Sequence, residues 1–185
     1  MLPFVLRCSG AVVSLACALV FAQEPAQQSS PRTVLLEVIR TSWDAQRNET
    51  LVYLRVYSDG FAEAHPMWKV DFRNIEFEKK QLPSNEFATL KSFLTDPATR
   101  RLQPDYAGYW GNKDFGYKYD ITIFGPSHDQ RIALQNFQPF LARKKGKPYP
   151  QQVEKLGCSV WRLRAEVSGE PLEKDWLAGC VKLGY

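Results

Sequence analysis

Two histidines, four cysteines and two methionines among 185 residues leave little material for a metal centre or a redox motif. His65 and His128 stand far apart, and the chain has neither Cys-x-x-Cys nor His-x-x-x-His. A zinc site needs four ligands at close spacing, so ligands this scattered argue against one. Also missing are Gly-x-Ser-x-Gly, His-Glu-x-x-His, a P-loop and Gly-x-Gly-x-x-Gly. Serine-hydrolase, zinc-peptidase, nucleotide-triphosphate and dinucleotide chemistry therefore have no motif to stand on, and no cofactor is implied. Charge of one sign is scarce too: 24 Lys and Arg face 20 Asp and Glu, a net +4. That excess is too small to point to nucleic acid. With 44% apolar residues the chain is neither disordered nor collagen-like, nor a polytopic membrane protein.

Long apolar runs are equally rare. Ala11 to Phe21 (AVVSLACALVF) is apolar apart from Ser14. It is shorter than the ~20 residues that a membrane span requires. It follows a start carrying one charge, Arg7, and precedes Val20-Phe21-Ala22, so residues 1–22 read as a signal peptide cut after Ala22. Cys17 makes a poor lipobox, because apolar sequence continues beyond it. The expected location is secreted or periplasmic, with no stable membrane insertion after cleavage. Residues 23–32 form a polar, flexible leader, and 33–185 a single domain.

What remains patterns as alternating strands and helices. Thr33–Thr41 and Thr50–Tyr57 read as strands, and Asp59-Gly60 between alternating runs predicts a type I′ hairpin to Phe61–His65. Val52, Leu54 and Val56 fall on one face, and Leu51, Tyr53, Arg55 and Tyr57 on the other. From Trp68, Val70 and Phe72 the alternation slips to Ile75 and Phe77, the sign of a bulge or of two short strands. Ser84 is placed as N-cap of a helix lined by Phe87, Leu90 and Leu94, stopped at Asp96-Pro97. Tyr117–Phe124 and Arg131–Phe137 read as an antiparallel pair, and 138–149 as a basic connection. A last helix begins at Pro150. Val153, Leu156, Val160, Leu163 and Val167 make its stripe, and Cys158, Trp161 and Ala165 lie opposite, facing the tail 171–185. The expected fold is α+β: a mainly antiparallel sheet of five to six strands, two helices and a disulfide-tethered C-terminal tail.

Signal cleavage removes Cys8 and Cys17. The two cysteines left, Cys158 and Cys180, most simply pair.

Chemistry has few candidates. Ser127, His128 and Asp129 are the residue types of a catalytic triad, but they are consecutive. Neighbours on a turn point apart and cannot form a relay, so a solvated turn is expected. His65, before Pro66 at a strand end, reads the same way. Asp71, Glu76, Glu78, Asp105, Asp114 and Asp120 leave room for a carboxylate-pair hydrolase. Lys79 and Lys80 beside Glu76 and Glu78 favour a solvated face instead. More informative is the loop 103–116, in which Tyr106, Tyr109, Trp110 and Phe115 interleave with Gly108, Gly111 and Gly116. Flat rings on permissive backbone suit a partner surface or a stacked sugar. The competing reading tucks the rings under the loop as a small core. Arg143, Lys144, Lys145 and Lys147, with Lys155, Arg162 and Arg164 nearby, form a basic cluster open to an anionic glycan or an acidic protein face. Asn48-Glu49-Thr50 is a glycosylation sequon, used only in hosts that glycosylate such sites.

The turn Ser58-Asp59-Gly60, the helix start Pro83-Ser84-Asn85-Glu86-Phe87 and the strand Tyr117-Lys118-Tyr119-Asp120-Ile121-Thr122-Ile123 stand in an order that resembles the emfourin-type inhibitors of thermolysin-like metalloproteases. The resemblance covers Thr33 to Phe137. It implies a non-enzymatic inhibitor that blocks a protease cleft with a loop, and it carries no individual inhibitory residue across. The reading reached from the sequence is an exported, non-enzymatic binding protein, with an extracellular or periplasmic protein as partner ahead of a glycan. The alternatives are carbohydrate or cell-envelope binding through loop 103–116, and a small carboxylate-dependent hydrolase.

Overall fold

The computed structural model describes residues 32–44, 48–66, 76–108, 115–169, 179–182 and 184. The expected signal peptide, residues 23–31 of the leader, Trp68 to Ile75, Tyr109, Trp110 and the tail residues Leu172, Trp176 and Leu177 lie outside them.

β1 (Val34–Trp43) is the strand on which the sheet is built. Its aliphatic residues Leu36 and Val38 are fully buried, while Glu37 between them faces the other way and is held by Arg55. β2 (Asn48–Tyr57) pairs with it antiparallel, and β3 (Phe61–Ala64) with β2. β4 (Glu78–Gln81) closes that edge. On the other side of β1 come β6 (Gly116–Ile123), then β7 (Gln130–Gln135) and finally β5 (Asp105–Ala107). The order is β4-β3-β2-β1-β6-β7-β5. The β5–β7 pairing is parallel, with Tyr106 opposite Leu134. The sheet is thus mixed and seven-stranded, not the mainly antiparallel sheet of five to six strands expected. β4 and β5 were missed because four charged or amide residues and a three-residue stretch carry no apolar alternation.

Two turns differ from expectation for identifiable reasons. Gly60 has φ +82°, but Asp59 does not enter the left-handed region, so no type I′ turn forms. Gly60 instead donates to the Tyr57 carbonyl across Ser58 and Asp59, a three-residue hairpin with glycine at the left-handed position. In β1–β2 the register skips between Val38/Leu54 and Ile39/Val52, leaving Tyr53 as a bulge. The bulge reverses parity, so Tyr53 is buried with Leu54 and Val56 on the face the alternation had denied it.

One face of the sheet carries the core. α1 (Ser84–Thr95) and α3 (Gln151–Ser168) lie on it, and their residues Leu90, Leu94, Leu156 and Val160 join Ile121, Ile132 and Leu134 in a single cluster. The opposite face is polar: Arg55 bridges Glu37 and approaches Glu63, and Lys118 pairs with Asp120. Pro83, not Ser84, occupies the N-cap of α1, and no side chain caps that end. A 3-10 turn, Thr99–Arg101, follows α1, started by the Asp96 carboxylate accepting from the Ala98 amide. The stripe of α3 is buried as expected, and so are Cys158, Trp161 and Ala165. The Phe137 ring, 5.1 Å away, covers Trp161, while most of the tail expected to do so lies outside the described residues. Gly157 sits mid-helix because a Cβ there would lie 2.2 Å from the Phe137 ring. α2 (Pro139–Lys144) occupies part of the stretch expected to be an irregular connection. Cys158 and Cys180 are joined, with Cα atoms 5.7 Å apart, so the short helical turn at 179–182 is tied to α3.

All of this belongs to the unit Pro31–Tyr185. No helix among the described residues is long and apolar enough to cross a membrane.

Opening the disulfide by Cys158→Ser with Cys180→Ser should cost about 3 kcal/mol on the chain-entropy estimate, measured as a lower denaturation midpoint with unchanged far-ultraviolet dichroism. Gly157→Ala, normally favourable inside a helix, should here destabilise by about 2 kcal/mol, because the added methyl overlaps Phe137.

Candidate functional site

The two stretches singled out by composition leave the sheet at the same end. β5 ends at Ala107 opposite Gln135, the last residue of β7, and β6 begins at Gly116 opposite Trp43, the last residue of β1. The segment joining β5 to β6, the arch, therefore leaves and re-enters the sheet beside the end of β7. From that same end the chain passes through Asn136 and Phe137 into α2.

Both feet of the arch stand on Asn136. A Cβ at Gly108 would lie 2.2 Å from the Asn136 carbonyl oxygen, and one at Gly116 would lie 2.8 Å from its Oδ1 and 2.4 Å from the Trp43 ring. Only glycine fits either place. Asn136 itself adopts φ +47°, which its side chain stabilises by accepting from the Tyr117 amide at 2.9 Å. Its own amide donates back to the Tyr117 carbonyl. The Tyr117 hydroxyl donates to the Phe137 carbonyl at 2.8 Å. Burial raises the Tyr117 hydroxyl well above the ordinary tyrosine range, and the same cause acts on Tyr119 behind it. Both phenols are neutral across physiological pH, and that of Tyr117 is a donor.

The aromatic residues of the loop divide. Tyr106 is half-buried against the core, and its hydroxyl accepts from the Gln103 amide at 2.9 Å, so this ring is committed to the core and to the approach to β5. Phe115 is 59% exposed at the foot of the arch. Tyr109 and Trp110 lie outside the described residues.

The basic cluster divides as well. Glu154 on α3 is fully buried, and the Arg143 guanidinium grips both its oxygens through Nε, at 3.1 Å each, and through Nη2. Arg143 thus locks α2 to α3 and is committed to that role. Arg164 is also interior: it donates to the His65 carbonyl at 3.1 Å and lies over the Tyr53 ring. Lys144, Lys145, Lys147, Lys155 and Arg162 are exposed. Lys155 lies over the Phe93 ring, beside a cleft of about 220 Å³ between α1 and α3.

A feature that sequence reading missed adjoins this cluster. Phe140 of α2 is 46% exposed and Val181 of the disulfide-tied turn 62% exposed. The Lys182 ammonium sits 5.0 Å from the Phe140 ring centroid. The visible sequence signal was Phe140 with Lys144 at helical spacing after a proline suited to a first turn.

In the hairpin before β7, Ser127 Oγ and His128 Nδ1 are 3.1 Å apart, so adjacent residues do meet here, contrary to expectation. The relay is still incomplete: Asp129 accepts from the Gly125 amide, and Arg100 fixes the turn by donating to the His128 carbonyl. Of the carboxylates, Asp120 is paired with Lys118, and Glu76 and Asp105 are exposed at separate places. Asp71 and Asp114 lie outside the described residues. Among the described residues no three His, Cys, Asp or Glu side chains gather in one group.

The division of the basic cluster is measurable. Arg143→Ala leaves a buried carboxylate without its cation and should destabilise by about 2 kcal/mol, the exposed half of the guanidinium reducing the usual cost. Lys144→Ala should change stability by less than about 0.5 kcal/mol in the same denaturation assay.

No protein-family model matches the chain, and no curated protein is significantly similar to it.

Proposed function

We propose that this protein is exported and acts by binding, with the loop 103–116, which includes the arch, as its contact surface and another protein as its partner. The observation that carries the reading is Phe115: a large ring, more than half exposed, held at the foot of an arch whose ends admit only glycine. A rigid root under exposed aromatic surface lowers the entropy lost on association. The disulfide is compatible with an extracellular place of work. Inhibition of a thermolysin-like metalloprotease is the form of binding to assay first, on the resemblance noted above.

The test uses residues 23–185 as bait against the extracellular fraction of the host. One stoichiometric protein should be retained, and Phe115→Ala together with Tyr109→Ala should weaken it at least about tenfold, as expected for contact anchors. The thermal midpoint of that variant should stay near the parent's. Retention of no protein at micromolar bait overturns the protein-binding reading; a large loss of stability in the variant shows that the rings serve the core.

A further inference from the structure

We infer that a second surface, formed by α2 and the disulfide-tied turn, docks reversibly on an anionic phospholipid bilayer. This inference is independent of the arch and of its partner. Three observations meet in it. Phe140 and Val181 are, with Phe115, the large apolar side chains most exposed among the described residues. The elements that carry them are in contact: Gly179 packs against Phe140, with an added Cβ only 3.3 Å from the Phe140 Cβ, and Lys182, next to Val181, lies over the ring. Cations border this apolar tip. Lys144 shares the face of Phe140 one helical turn on, Lys145 and Lys147 follow in the next loop, and no Asp or Glu occurs in 138–150 or 179–182.

Glu154 deepens the asymmetry. Because Arg143 is paired with that buried carboxylate, its charge is offset, while Lys144 and Lys145 present theirs at the surface. Lysine is depleted at protein–protein interfaces, where a mobile, strongly hydrated ammonium loses too much on being fixed. A headgroup layer makes no such demand. Lysine stems lie along apolar surface with their charges among phosphates, and a phenylalanine and a valine enter the acyl boundary. Attachment of the turn through Cys158–Cys180 makes the patch dependent on the bridge, since Val181 and Lys182 directly follow Cys180.

Vesicle sedimentation tests this with residues 23–185, which retain the whole core and lack the apolar N-terminal run. Vesicles of phosphatidylglycerol and phosphatidylcholine in equal parts should bind the chain at low salt, and pure phosphatidylcholine should bind it far less. Raising salt from about 0.05 to 0.5 M should weaken binding by about tenfold or more, as the screening length shrinks. Lys144→Gln with Lys145→Gln should lower partitioning by about fivefold per lysine. Val181→Ser, at a site too exposed to threaten folding, should reduce the part of the binding that survives high salt, and Phe140→Ser should do so more strongly. No binding to the anionic vesicles at low salt overturns the inference. So does binding that these substitutions leave unchanged, which would assign it to another face. Retention on polyglutamate with indifference to vesicles overturns it equally, in favour of an acidic protein.

Discussion

Phe137 is the residue around which the rest of the molecule is arranged. It is fully buried, with the rings of Tyr149 and Trp161 each 5.1 Å from its own and its carbonyl held by the Tyr117 hydroxyl. Through these contacts the end of β7, the start of β6, the middle of α3 and the loop after α2 meet at one point. α3 can approach only because position 157 has no side chain. Asn136, immediately before, is forced into the left-handed region by the turn out of the sheet, and the same turn supplies the ledge on which the arch stands. The exposed surfaces on this end are therefore consequences of a packing solution in the interior.

Buried charge plays a second organising part. Glu154 and Arg164 are both interior residues of α3, and each meets another element, the adjoining α2 in one case and, far away in sequence, the end of β3 in the other. A carboxylate or guanidinium taken out of water is tolerated only with its partner in place, so such contacts specify an arrangement more than they strengthen it. They tie α3 to the end of β3 on one side and to the basic segment on the other. The surface lysines inherit their placement from this pair of contacts and contribute little to stability themselves.

Much of the fold was legible because the strands β1, β2, β6 and β7 and the stripe of α3 have clear periods. The disulfide followed from cysteine count together with the side of α3 on which Cys158 falls. Elements without an apolar period escaped: β4 reads Glu-Lys-Lys-Gln, β5 has three residues, and α2 is six residues in a proline-rich stretch. Tyr53 escaped for a different reason, since a bulge depends on the partner strand and leaves no mark in its own sequence. For the candidate surfaces, composition located both segments but could not separate exposed from committed side chains. Arg143 and Lys144 are adjacent and chemically alike, yet one is locked to a buried acid and the other faces solvent; the difference lies in Glu154, eleven residues on. Tyr106 and Phe115 divide in the same way across the arch.

The strand order has a kinetic consequence. β1 is central, and while β2 follows it at once, its other neighbour β6 is separated from it by most of the domain: Leu36 pairs with Ile123 and Trp43 with Gly116. A chain emerging from its N-terminus can form the β1–β2–β3 meander early, but one edge of β1 must wait, unpaired, for the second half. β5 waits as well, over a much shorter stretch, because its partner β7 follows it in sequence. Pairings of such long reach are closed late and slowly, and an edge held open meanwhile is a template for other copies. Arg40, Thr41 and Ser42 along the later part of that edge keep it less adhesive than its aliphatic beginning, so the vulnerable interval centres on Leu35 to Ile39.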